Sequence, residues 1–219
     1  MPVEWVAGSS WNQWPDVHGM GGRMPVESAI MAWMTFVAAS STAFAGFDEG
    51  IEAYTHGDFE TALSTFRPLA EDGVSGAQYN LGLMYAYGQG VPQNYDEAIK
   101  WYRQAAENGY RMAMHNMGDF YAAGKGVQQN YTEAAKWFRA AAENGFVNSQ
   151  HNLGALYLHG KGVPQSSIEA YAWLSVAAAS GNEGEIRVRD IVARTLTKTN
   201  LKAGQKLAKE YLEMYPPRP

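Results

Sequence analysis

The chain has 219 residues, enough for one sizeable domain, and it contains no cysteine. That absence excludes disulfides, thiol nucleophiles and thiolate metal sites. A net charge of −5 argues against nucleic acid as a partner.

Residues 1–23 carry Trp5, Trp11 and Trp14 without helical or strand period, and are read as an upstream segment outside the fold, either untranslated or disordered. Residues 24–45 read as a signal peptide. Ala29 to Ala39 form an apolar run too short for a comfortable membrane span, and Ala43-Phe44-Ala45 supplies a small-residue processing site. If translation starts at Met1, Arg23 provides the positive charge of the leader; if it starts at Met24, the leader carries none upstream of its apolar run. Cleavage is expected after Ala45, giving a periplasmic or secreted chain with no membrane span. An uncleaved inner-membrane anchor is the rival reading.

Beyond the leader a block of residues returns every 36 positions. Ala77, Gly82, Tyr85, Gly88, Gly90, Val91, Ala98, Trp101, Ala105, Ala106 and Gly109 reappear from Ala113 to Gly145, and most of them again from Gly154 to Gly181. Such a period marks stacked supersecondary units, because one unit cannot bury its apolar face alone. Within a unit, Leu81 and Tyr85 define one helical stripe, and Ala98, Trp101, Tyr102, Ala105 and Ala106 define a second. Gly88-Gln89-Gly90-Val91-Pro92 separates them, with glycines free to take positive φ and Val91 turned inward. Asn94 with Glu97, Asn130 with Glu133 and Ser166 with Glu169 predict capped starts for the second helices. Gly82, Gly118 and Gly154 fall in mid-helix, where glycine is unfavourable unless another helix approaches closely. The spacing predicts that Trp101, Trp137 and Trp173 lie against them.

The pattern from Ala77 to Gly109 closely resembles the Sel1-like repeat, a relative of the tetratricopeptide repeat. The resemblance implies a right-handed all-α solenoid of antiparallel helix pairs, with repeats at 77–112, 113–148 and 149–184. Residues 47–76 are similar to a degenerate leading repeat, because Gly57-Asp58-Phe59-Glu60-Thr61-Ala62-Leu63 matches an interhelical turn and second helix. Residues 185–219 resemble the capping helices that follow such arrays. Their balance is +4 against −7 over 46–184, but the basic residues fall at helical spacings on solvated faces. Some exported relatives are cysteine-rich and linked with β-lactam binding; this chain departs from that branch.

On the first helix of each pair, the positions between core residues vary from copy to copy: Tyr79, His115 and His151; Leu83, Asp119 and Ala155. The resemblance places them on a concave face, so they are the expected contacts for a protein or peptide partner, off the core stripe. His115 and Asp119 have the spacing of a metal-ligating pair, but no third ligand is evident, and neither metal nor cofactor is expected. Asn80, Asn116 and Asn152 recur in register, which favours a structural role. No nucleophile elbow, zinc-protease motif or phosphate loop is present. The sequence therefore reads as a non-catalytic scaffold or adaptor of the bacterial cell envelope. A cell-wall enzyme or a polysaccharide-binding protein is the alternative.

Overall fold

The structure, a computed structural model, describes residues 46–218; the upstream segment 1–23, the leader 24–45 with its processing site, and Pro219 lie outside the described residues. A first helix, α1, spans 46–55. It is followed by α2 (Phe59–Glu71), α3 (Ser75–Tyr87), α4 (Tyr95–Glu107), α5 (Arg111–Ala123), α6 (Tyr131–Glu143), α7 (Val147–His159), α8 (Ser167–Ala178), α9 (Glu183–Thr195) and α10 (Lys198–Met214). Consecutive helices from α2 through α9 pack on one another, giving a solenoid of antiparallel pairs α3/α4, α5/α6 and α7/α8. The first helices start at Ser75, Arg111 and Val147, two residues before the positions at which the sequence repeat was drawn.

The local chemistry explains the alternation. Asn94 accepts hydrogen bonds from the N–H groups of Asp96 and Glu97, Asn130 does the same for Thr132 and Glu133, and Ser166 accepts from Glu169. These caps satisfy first-turn donors that have no partner within the helix. Between α3 and α4, Gly88 and Gly90 take φ of 69° and 70°. A side chain at Gly90 would also press within 2.8 Å of the Phe59 carbonyl, so this glycine meets two constraints, conformation and close approach. Val91 tucks half-buried against the α2/α3 cluster of Ala62, Phe66, Ala70, Ala77, Leu81 and Met84.

The mid-helix glycines do admit a close neighbour, but not the tryptophan the spacing predicts. A methyl group on Gly82 would lie 2.5 Å from the Tyr102 ring, and one on Gly118 would lie 2.6 Å from Phe138. At Gly154 the neighbour is Leu174, at 2.8 Å. Each is the residue after the tryptophan, turned by about 100° around the helix. Trp101 instead packs against the α2/α3 cluster, and Trp137 against the cluster containing Tyr102, Met114 and Met117. The tryptophans thus bridge each pair to the preceding helices, while Tyr102, Phe138 and Leu174 fill the space within a pair. The paired alanines at 105/106, 141/142 and 177/178 are buried, as close stacking requires.

At the far end the alternation stops. Both α9 and α10 pack on α8, and Tyr171, Leu174, Val192 and Ala208 share one cluster. Helix α10 also carries Tyr211 back to Trp173, with ring centroids 4.6 Å apart. These two helices close the open end of the array.

Candidate functional site

Helices α3, α5 and α7 carry the positions that vary between copies. Tyr79 on α3 is half-buried, its ring 5.8 Å from Tyr102 and 5.1 Å from Tyr110. Burial pushes the phenol pKa values of Tyr79 and Tyr102 up, so both rings stay neutral. His115 on α5 lies between Phe138 at 5.5 Å and Phe146 at 5.0 Å. Its Nδ1 is 2.8 Å from Ser149 Oγ, and its Nε2 is 3.3 Å from Asp119 Oδ2. His151 on α7 holds Glu185 of α9, Nδ1 to Oε2, at 2.7 Å.

The sequence places Tyr79, His115 and His151 off the core stripe; in the structure each is nonetheless held by packing. Each reaches toward the next first helix and ties adjacent repeats together. A residue two positions before a core leucine sits about 200° away around the helix, and in a stacked array that flank is covered by the following unit. Leu83 likewise packs partly buried against the Tyr102 cluster, and Ala155 is half-buried. Asp119 is different, with 51 % of its side chain exposed.

Ser149, His115 and Asp119 form a line with the residue types of a hydrolase triad. The order of access is wrong for attack: Ser149 is fully buried and the solvent-facing end is the carboxylate. The line acts as a tie, with the Asp119 carboxylate 3.3 Å from Nε2 and the Ser149 hydroxyl hydrogen-bonded to Nδ1. Burial lowers the His115 pKa, with the Asp119 charge opposing; burial raises that of Asp119, with His115 and Lys125 opposing. Among the described residues no group of three or more histidine, aspartate or glutamate side chains is placed to hold a metal ion.

Asp119 opens onto a cleft of about 410 Å³ lined also by Tyr87, Tyr102, Asn116, Phe120, Lys125 and Tyr131. Tyr87, at the end of α3, is 70 % exposed. The cleft offers an exposed phenol, a carboxylate and an ammonium on a floor of packed aromatics, which suits a polar segment with a side chain to anchor. Sequence reasoning found Asp119 but missed Tyr87, Lys125 and Tyr131. Tyr87 and Lys125 flank the left-handed Gly88 and Gly124, where the repeat consensus gives no reason to single them out.

A second feature was present in the sequence and overlooked. Arg67, Arg103 and Arg139 recur every 36 residues, and each donates to the tyrosine hydroxyl 18 residues on: Tyr85 and Tyr121 at 3.3 Å, and Tyr157. This ladder staples each second helix to the first helix of the following pair. The asparagine ladder diverges: Asn80 donates to Gly76 O at 2.8 Å, Asn116 lines the cleft beside Asp119, and Asn152 reaches Asp119 at 3.5 Å. No helix among the described residues is long and apolar enough to cross a membrane.

A family model described as "Sel1 repeat" matches residues 75–110, 111–146 and 147–182, the same phase as the helix pairs. The chain is similar to a solved Sel1 repeat protein from Oxalobacter formigenes, at 39% identity and TM-score 0.55, over 58% of this chain and 96% of that one. It is also similar to a protective antigen of uropathogenic Escherichia coli displaying an SLR fold, at 29% identity and TM-score 0.53, over 81% of this chain and 47% of that one. A curated relative, "Exopolysaccharide production negative regulator" of Rhizobium meliloti (strain 1021), is 41% identical over 58 residues, which are 26% of this chain and 22% of that protein. The chain thus spans about a fifth of that relative's length.

Proposed function

The chain belongs to the Sel1 repeat family, whose repeats generally mediate protein–protein contact without catalysis, and from that premise we propose that it is a scaffold or adaptor of the bacterial cell envelope. Its partner is a protein or peptide that docks on the face of α3, α5 and α7, the concave side in repeats of this kind.

The observation that carries this reading is the cleft at Tyr87, Asp119 and Lys125. It joins an exposed aromatic residue to charges of both signs on a rigid helical floor. Preorganised aromatic anchors dominate interface energies, because little side-chain entropy is lost on binding. Asp119, Leu83 and Ala155 belong to the same face, while Tyr79, His115 and His151 hold its repeats in register. The envelope location is supported by the apolar run at 29–39 and the Ala43-Phe44-Ala45 site. The name of the Rhizobium meliloti relative adds a regulatory role as the class of activity to look for.

Photo-cross-linking in cells tests the docking face. A cross-linker at Tyr87 is expected to give one dominant protein adduct, and one at Lys100 on the outer helix α4 is expected to give none. The reverse pattern moves the site to the outer face, and adducts with polysaccharide overturn the protein-partner reading. N-terminal sequencing of the same material is expected to begin at Gly46.

A further inference from the structure

Four turns in the array are equivalent. Gly73, Gly109, Gly145 and Gly181 end successive second helices with φ of 88°, 84°, 79° and 82°. A side chain placed on Gly73, Gly109 or Gly181 meets nothing within 4 Å, whereas on Gly145 it meets Pro216 O at 2.6 Å and Arg218 Cγ at 2.8 Å. The chain's own segment 215–218 lies along this one turn. Arg218 donates its N–H to Gly145 O at 2.9 Å, and its backbone pairs in parallel with Phe146. The Tyr215 ring stacks on Trp173, with centroids 5.7 Å apart and planes 20° apart. Gln150 Nε2 donates to both Ala142 O and Tyr215 O, each at 3.1 Å. An extended main chain is therefore already bound here, through backbone pairing and two fully buried side chains, Gln150 and Trp173.

The fit is incomplete in a specific way. Gln150 Oε1 is buried and finds no hydrogen-bond partner among the described residues. The equivalent Gln78 donates to Ala70 O, and its oxygen accepts from Asn108 Nδ2 at 3.1 Å. At the place of Asn108 the third repeat has Ser180, which donates to Ala177 O instead. Nor can the bound segment supply the missing donor. The Tyr215 N–H is committed to Tyr211 O at 2.7 Å, because Tyr215 continues directly from α10. Pro216 and Pro217 have no N–H at all. A buried polar group left without a partner is costly, and a ligand that satisfies it has the advantage over one that does not.

We propose that the Gly145–Gln150 turn is a docking site for an extended main-chain segment of another protein, with an aromatic residue at the place of Tyr215, and that residues 215–218 hold the site until such a segment displaces them. A segment that does not emerge from a helix offers Gln150 a carbonyl for Nε2 and a free N–H for Oε1 at once, the pairing a strand edge makes. The same segment of a second copy would bring the same committed N–H and the same prolines, so a different protein is the occupant. The bound segment competes from within the chain and keeps affinity low until the partner exceeds its effective concentration. This site is distinct from the cleft at Tyr87, and its test does not depend on that reading.

The probe is a fluorescent peptide, acetyl-Ala-Ala-Tyr-Ala-Ala-Arg-amide, compared with its analogue carrying N-methyl-tyrosine, which lacks the decisive N–H. Both are titrated by fluorescence polarisation into the full chain and into the full chain carrying Tyr215→Ala, which loosens the internal segment. The expected results are saturable binding at least about tenfold tighter to Tyr215→Ala than to the parent, and about tenfold weaker binding of the N-methyl peptide. Gln150→Met is expected to abolish the difference between the two peptides. Arg218→Pro, which removes the donor to Gly145, replaces Tyr215→Ala if that variant does not melt cooperatively. Equal binding of the two peptides, or no saturable binding to a folded variant, overturns the proposal. Tighter binding of a peptide copying residues 215–218 than of the alanine peptide also overturns it, in favour of a second copy as occupant.

Discussion

The first and third repeats, residues 75–110 and 147–182, begin from nearly the same residues and end in different surroundings. In the first, Gly82 faces Tyr102, Trp101 is half-buried and Asn108 completes the hydrogen bonds of Gln78. In the third, Gly154 faces Leu174, Trp173 is fully buried and residues beyond the repeat cover Gln150. Helix α10 makes the difference, bringing Tyr211 to Trp173 and its hydroxyl to Glu169 Oε2 at 3.0 Å. A repeat inside a solenoid is sealed by the next one, whereas the last repeat needs elements that leave the pattern. The same residue type at the same register then acquires a different burial and a different energetic weight.

The largest expected effect follows from that burial. Trp173→Ala is expected to cost about 3–5 kcal/mol in denaturant unfolding, since a fully enclosed ring leaves a cavity. Trp101→Ala, at the half-buried position, is expected to cost clearly less. Equal costs would mean that α10 does not seal the third repeat.

The sequence pattern made the helix pairs, their caps and their glycine turns legible, because each follows from short-range chemistry that recurs in register. Asn94, Asn130 and Ser166 cap the helices they were expected to cap. The partner of Gly118 was misassigned by one residue, to Trp137 and not Phe138, because both lie near the same stripe and only three-dimensional packing decides between them. The sequence places the variable positions Tyr79, His115 and His151 off the core stripe, because non-recurrence suggests a surface. The structure shows that inter-repeat contacts vary as well, with each pair solving the same contact by different chemistry: ring on ring at Tyr79, hydroxyl to imidazole at His115, carboxylate to imidazole at His151. Tyr87 and Lys125 were not legible, since no repeating pattern marks a helix end that merely lines a cleft.

The glycines sharpen the comparison. Gly118→Ala places a methyl group against the rigid Phe138 ring and is expected to cost about 1–3 kcal/mol through overpacking. Gly154→Ala meets the flexible Leu174 side chain and is expected to cost less, as measured by paired thermal unfolding. Gln78→Leu, which loses the buried donation to Ala70 O and the bond from Asn108, is expected to cost about 1–3 kcal/mol. Gln150→Leu, which removes an unpaired buried oxygen along with two donations, is expected to cost less than Gln78→Leu. The opposite order would show that the two glutamines are closed alike.

The smallest expected effect is a pH dependence. Burial holds the His115 pKa below its ordinary value, so the unfolded chain takes up this proton more readily than the folded one. The stability it contributes is fully present above about pH 6.5 and declines as pH falls through that value toward the lowered pKa. The melting temperature is therefore expected to fall between about pH 7.5 and about pH 5.5 in the parent, and by less in His115→Gln. An unchanged slope in that variant would assign the acid sensitivity elsewhere.

The claim that the α3, α5 and α7 face receives the partner is tested most directly by affinity. The protein recovered by cross-linking at Tyr87 is titrated against the parent chain, Tyr87→Ala and Lys125→Glu by calorimetry, with melting temperatures recorded alongside. The account predicts unchanged melting and binding at least about tenfold weaker for each variant, as expected when an anchor and its neighbouring charge are lost. Parent-like affinity in both variants would contradict it.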